Sequence, residues 1–439
     1  MASVRVVSVV VRIVASVSLG TSVAYATPGF PPWSDANDIP VPRWAKSVAA
    51  HGDEASIFRM PNRADSRRGT LTHGARPPLY GAARAPGCNG RWYQIGPFAW
   101  VCSDDVELAA DDPDASAKRP PLPPPYTDDG LPFHYGFVGP EGAQSFRDLA
   151  HAEEETPEAD LDPGFAVAIT EEQDAHGQRW AKTRHGAWIA IAQLNVVRPP
   201  TLRGEVLAEG QPVSIAWVLP DHAATYTDAK GTKTASVRTR FQIVHRHEEE
   251  KAPSGMMVRV SDDGAPMVEW MKLKDLARPS VAPPPPPVEV GGALATERWI
   301  DVDLATETLV AYEGVRPVYA ALVSTGRGAQ GTETSTPIGV HRIWVKLQTS
   351  SMGNLGDEDA DSHYSIEDVP YVQFFAKGVA LHGAFWHHSF GFPHSHGCVN
   401  LSPIDARWLF DFTAPAMPTG WSAVLPAGAI DPGTLVRVR

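Results

Sequence analysis

Apolar and polar residues alternate along this chain in short runs, broken by turn-forming residues about every 8–12 positions, a pattern that predicts strands. The best helical segment is Pro403-Ile404-Asp405-Ala406-Arg407-Trp408-Leu409-Phe410-Asp411-Phe412. Ser402 is a good N-cap and Pro403 suits the first helical position, with Ile404, Trp408 and Leu409 expected inward. Val379-Ala380-Leu381 reads as a strand that delivers His382 at its end. Residues 384–394 are aromatic and punctuated by glycine, which suits a loop covering a cleft. The expected class is mostly β.

Upstream there is an internal echo. Residues 88–101 and 178–189 both read strand, tight turn, strand, opening on Arg-Trp and closing on Ala-Trp-Val/Ile, and 255–271 is a fainter copy around Asp262-Asp263-Gly264. These hairpins resemble the distal part of bacterial SH3-like domains. Trp92, Tyr93, Trp100, Trp180 and Trp188 fit either cross-strand packing in small barrels or a ligand groove, packing being favoured. The runs at 120–125 and 283–287 are proline-rich and act as semi-rigid spacers. The chain then divides into an SH3-like domain at 38–110, a linker at 111–132, a second such domain at 133–200, a possible third at 201–279, a proline/glycine linker at 280–295 and a last domain at 296–439. Few contacts are expected across the second linker, so the last domain should fold alone.

With 439 residues, 43% hydrophobic and 20% charged, the chain suits a soluble protein of several domains. A net charge of −13 argues against nucleic acid or an anionic membrane surface as partner. Residues 1–26 read as a signal peptide: Arg5 and Arg12 start it, a modestly apolar stretch follows, and Ala24-Tyr25-Ala26 fits a cleavage site. That stretch is too short and too polar to span a membrane. Export to the periplasm or cell wall is expected, and there Cys88 and Cys102 would pair, leaving Cys398 as the odd, reactive cysteine.

The chemistry concentrates in Ser395-His396-Gly397-Cys398-Val399-Asn400, with His382-Gly383 sixteen positions before the cysteine. A thiol attacks a carbonyl as thiolate, so it needs a base, and the base needs an orienting partner. Gly397 allows close backbone approach, so amides at Gly397 and Cys398 are candidates to face an oxyanion. His387, His388 and His394 read as exposed loop residues; a zinc site drawn from them with His396 and Cys398 would consume the thiolate. A papain-like arrangement has the opposite order of cysteine and histidine.

This segment resembles the active-site signature of the L,D-transpeptidase (YkuD-type) catalytic domain. Glu297–Leu304, Thr308–Gly314, Val323–Gly326 and Thr336–Ile343 resemble its upstream elements, so the likeness spans roughly 296–439. It implies small SH3-like barrels followed by a β-rich catalytic domain with one or two helices. Cys398 would be the nucleophile and His382 the base, with the Gly383 carbonyl orienting the ring. His396 and Gly397 would shape the pocket, and Trp386, Tyr364, Ser395 and Asn400 would contact substrate. Many family members carry Arg at the position of Asn400, so the role of that Arg in substrate contact does not transfer. The implied reaction is acyl transfer on a peptidoglycan tetrapeptide stem, with D-alanine released and a cross-link formed. The acceptor is the amine of a neighbouring stem or a wall-linked protein, and neither cofactor nor metal is needed. Hydrolysis at the same thiol, or a non-catalytic wall-binding scaffold, are the alternatives.

Overall fold

The computed structural model describes residues 39–65, 67–114, 129–262, 268–285, 297–354 and 363–439. The signal segment, the first proline run, the end of the second, the turn at Asp263-Gly264 and the middle of the 351–364 loop lie outside them. The architecture is mostly β, and among the described residues the α-helices are Leu149–Glu153 and Pro403–Phe412.

Two sheets make the C-terminal third. In the first, Arg298–Asp303, Thr308–Glu313 and Arg316–Leu322 form an antiparallel meander. Leu435–Val438 lies parallel to the first of these and antiparallel to Gly339–Arg342. Its strands are nearly continuous apolar runs because both faces are covered. Ile300, Val302 and Leu309 pack towards the helix and the second sheet, while Trp299, Val310 and Tyr312 meet Leu202 and Trp217 of the upstream chain. Asp301 is 1% exposed. Its oxygens accept from Nε of Arg437 at 2.6 Å and Nε of Arg439 at 2.9 Å, as a buried carboxylate requires.

The second sheet holds a long hairpin, Val345–Gly353 with Ser365–Ala376, flanked by Val379–Gly383 and Trp421–Val424; Val399–Leu401 runs parallel to Val379–Gly383. The helix begins where its cap predicts, with Ser402 Oγ accepting from Asp405 N at 3.2 Å. Leu409 is buried and Trp408, half-buried, packs on the core against Tyr319 as expected, but the inward face is wider: Asp405, Ala406 and Phe410 are buried too, and Ile404 is only half-buried. The reason is Asp405, turned inward to accept from Gly204 N at 2.6 Å and Tyr319 Oη at 2.7 Å. At the other end, Lys346 Nζ donates to the carbonyls of Phe410 at 2.7 Å and Thr413 at 2.8 Å.

The three upstream hairpins form at Trp92–Gly96 with Ala99–Cys102, Gln178–Thr183 with Trp188–Ala190, and Gly255–Ser261 with Val268–Lys272. The second and third each continue into a 3₁₀ turn and a short strand. Trp92, Tyr93, Trp100, Trp180 and Trp188 are buried, and Trp92 and Trp180 stand edge-to-face on Phe58 and Phe146; they pack the hairpins and form no open groove. Cys88 and Cys102 are joined by a disulfide, and Cys398 is free.

The expectation of few contacts across 280–295 is corrected. Arg67–Thr72 pairs with Trp421–Val424, Ala166 bridges to Ile366, and Glu205–Val206 pairs with Ala320 and Tyr319. Gly69 is obligatory at the first junction, because a Cβ there would lie 2.4 Å from the Ala423 carbonyl oxygen. A sheet edge offers unpaired N–H and C=O groups, and the upstream segments occupy those of the C-terminal third.

Candidate active site

Parallel pairing of Val379–Gly383 with Val399–Leu401 sets His382 opposite Asn400, so Cys398, one residue before the second strand, comes to the same rim. His382, Cys398, Trp386, Tyr364, His396, Ser395 and Asn400 all line one cleft of about 620 Å³. His382 is 2% exposed. Its Nδ1 lies 3.2 Å from the Gly383 carbonyl oxygen, so Nδ1 carries the proton and Nε2 keeps its lone pair. Burial lowers the ring to about 4, against the pull of the Gly383 bond. Trp386 stacks on it with centroids 5.7 Å apart. Burial pushes the Cys398 thiol above its ordinary value, and the Ala380 backbone N–H draws it partly back. Both groups on the cleft thus rest neutral, with the thiol lying 3.9 Å from the Gly378 carbonyl oxygen.

The sequence between these residues is fixed by its own turn. Ser395 Oγ donates to the Cys398 carbonyl at 2.5 Å and accepts from Gly397 N at 3.1 Å. Gly397 has φ +122, a value side chains resist, and its carbonyl accepts from Thr336 Oγ1 at 2.8 Å. Two expectations change here. The Gly397 N–H donates to Ser395 Oγ within the turn, and Ser395, though on the cleft, uses its hydroxyl to shape that turn.

Residues 297–438 match the YkuD family, the L,D-transpeptidase catalytic domain. The C-terminal third is an L,D-transpeptidase catalytic domain. Solved structures similar to the chain carry the same description. An L,D-transpeptidase mutant from Enterococcus faecium is 22% identical over 33% of this chain and 50% of that one, with a TM-score of 0.24. An enzyme from Stackebrandtia nassauensis is 26% identical over 33% and 57%, at 0.23. One from Mycobacterium smegmatis is 14% identical over 62% and 99%, at 0.24. The chain spans 50% and 64% of the length of the first two solved structures it matches. No curated protein matches it.

Within the transpeptidase domain, His396 lies with Nε2 2.7 Å from Arg327 Nη2 and its ring stacked on Tyr364, centroids 6.0 Å apart. Asn400 is 3% exposed, and its backbone exchanges bonds with Ser324 at 2.9 and 3.0 Å. His388 and His394 are exposed, but His387 is 8% exposed, contrary to expectation. Ser389 N donates to His387 Nδ1 at 3.1 Å. The ring proton therefore sits on Nε2, and the Asn400 amide group 2.8 Å away must turn its oxygen, not its NH2, towards the ring to accept it. Burial lowers His387 to about 3. Among the described residues, the only metal-spaced group of acidic, histidine or cysteine side chains is Cys88, Cys102 and Asp104, and its two sulfurs are bonded to each other.

Glu307 is the residue that sequence reasoning missed. It sits in the turn after Arg298–Asp303 with φ +49 and is 3% exposed. Its carboxylate accepts from Thr325 N at 2.7 Å and Thr325 Oγ1 at 2.6 Å. The Thr325 carbonyl in turn accepts from His394 N at 2.9 Å and Ser395 N at 3.0 Å. Burial raises Glu307 to about 7. A lone acidic residue in an Ala-Thr-Glu-Thr turn carries no sequence signal of such burial.

Proposed function

We propose that the protein is an exported cysteine L,D-transpeptidase that cross-links peptidoglycan peptide stems. The observation that supports it most is the free thiol of Cys398 sharing a cleft with His382, whose Nε2 is left available by the Gly383 carbonyl. In the first half-reaction His382 Nε2 takes the thiol proton as the sulfur bonds to the carbonyl preceding the terminal D-alanine. The tetrahedral adduct collapses, the C–N bond breaks, and the proton passes to the departing D-alanine amine. The product is a thioester on Cys398. In the second, an amine of a neighbouring stem attacks the thioester, His382 takes its proton, and the thiol leaves protonated. The amide formed is the cross-link.

His396 and Tyr364 form one side of the entrance and Trp386 shields the base, while Asn400 acts through His387 and the strand. The SH3-like reading of 38–110, 133–200 and 201–279 belongs to this proposal, as does action in the periplasm or cell wall.

Intact-protein mass spectrometry after incubation with a carbapenem tests it. One adduct is expected, on the peptide containing Cys398, absent in Cys398→Ala and formed roughly 10²-fold more slowly in His382→Ala. With disaccharide-tetrapeptide, a dimer plus D-alanine supports transfer, whereas tripeptide alone means hydrolysis. Folded protein giving neither adduct nor product would refute the enzyme reading in favour of a scaffold.

A further inference from the structure

The catalytic cleft is not made by the transpeptidase domain alone. Phe137 and Gly164, both upstream of residue 200, line it together with His382 and Cys398. Phe137 is half-buried in the strand His134–Val138, and Gly164 lies in the exposed turn before Ala166–Ala175, with φ +84. One apolar cluster joins Phe133, Tyr135 and Ala168 of that region to Ile366 and Phe385, with Phe137 and Cys398 at its margin.

The attachment is a rigid one. Ala166 bridges to Ile366, and Ala168 N donates to Glu367 Oε2 at 3.2 Å. Tyr135 Oη donates to the Asp368 carbonyl at 2.7 Å while its ring stacks on Phe385 at 4.0 Å. Arg184 Nε meets Asp368 Oδ1 at 3.3 Å. A surface held by a strand bridge, buried hydrogen bonds and a ring stack keeps a fixed distance from the thiol. A tethered module would not.

The cleft lining is chemically mixed. Arg327, His394 and His396 give it polar, hydrogen-bonding character, while Phe137, Met352 and Ile366 are apolar. We propose that the 133–200 region is part of the substrate site, and that Phe137 supplies the apolar wall against which the acyl-donor peptide lies. The donor is the occupant because its carbonyl must reach Cys398 before any acceptor can react. Its departing carboxylate end then suits Arg327, and the methylenes of the residue that becomes acylated suit Phe137. This rests on the transpeptidase reading above.

The test uses the full chain as wild type, Phe137→Ala and Phe137→Leu. Kinetics on disaccharide-tetrapeptide should show KM raised roughly tenfold in Phe137→Ala, the scale of one aromatic contact. The accompanying change in kcat should stay within about twofold, because the contact is made equally before and during reaction. Phe137→Leu, which keeps an apolar wall, should raise KM only about threefold by the same reasoning, and it decides the matter if the alanine variant does not fold. An unchanged KM in folded variants overturns the proposal.

Alkylation of Cys398 gives a readout that needs no turnover. Iodoacetamide should label wild type and Phe137→Ala at similar rates, whereas the bulkier N-phenylmaleimide should label the variant several-fold faster. An unchanged ratio of the two rates overturns the wall. Wild type that fails to consume tetrapeptide would refute the transpeptidase reading by itself, and the labelling ratio would still decide whether Phe137 bounds the cleft.

Discussion

The pH dependence of acylation follows from the burial of His382. Its ring is lowered from 6.5 to about 4 because the folded site gives an imidazolium no solvation. A displacement of that size corresponds to roughly 3 kcal/mol against the charged form. The base is neutral and able to accept the thiol proton above about pH 4 and is lost as pH falls through that value. The rate of carbapenem acylation should therefore hold level well below 6.5 and drop only near pH 4. Cys398 is raised by its own burial, so free thiolate accumulates only on the alkaline side of an ordinary cysteine. Trp386→Ala removes the ring stacked on His382, admits water, and should move the acid limb up by about one pH unit. Glu307, raised to about 7 by burial, reaches the cleft only through Thr325, so Glu307→Gln should leave the limb near pH 4 in place. The assay is loss of β-lactam absorbance in stopped flow between pH 3 and 9. A wild-type acid limb at 6 to 7, or one that Trp386→Ala leaves in place, refutes the reasoning. Stability shares the sign: between about 6.5 and 4 the unfolded chain takes up the His382 proton first, so the fold weakens as pH falls.

Two further outcomes are expected. Lys346→Met leaves the Phe410 and Thr413 carbonyls without their ammonium donor; after relief of the buried charge is credited, it should lower stability by about 2 kcal/mol, and an unchanged urea midpoint would contradict it. A fragment of residues 297–439 exposes the edges now covered by Arg67–Thr72, Ala166 and Glu205–Val206 and should be recovered insoluble or aggregated; a monodisperse, folded fragment in gel filtration and circular dichroism would show the upstream pairings to be dispensable.

Local signals in the sequence carried a long way. Ser402 and Pro403 marked the start of the helix, turn residues marked the three hairpins, and Ser-His-Gly-Cys with His-Gly marked the cleft. What they missed is non-local. Whether a short strand such as Glu205–Val206 lies free or completes a distant sheet depends on an edge more than a hundred residues away, and nothing in its own alternation records that edge. The helix face was read too narrowly for a related reason: Asp405 looks like a surface residue until Gly204 and Tyr319 come to it. Polar groups in the active-site turn misled likewise. A serine beside a catalytic-looking histidine reads as a substrate contact, yet the Ser395 hydroxyl is taken by the Gly397 amide and the Cys398 carbonyl. His387 is buried because Asn400 and Ser389 satisfy its ring, partners that only the folded loop assembles.

The position of Leu435–Val438 bears on how the molecule is made. That strand lies between Arg298–Asp303 and Gly339–Arg342, inside its sheet and not at its margin. During synthesis the upstream hairpins emerge first and can gather locally. The first sheet, by contrast, has a gap between two of its strands until this segment has been synthesised, after the meander and after Cys398 itself. A chain stopped between Cys398 and Leu435 thus carries the thiol while the sheet that packs against its own strands is still open, and order around Cys398 waits on a segment made after it.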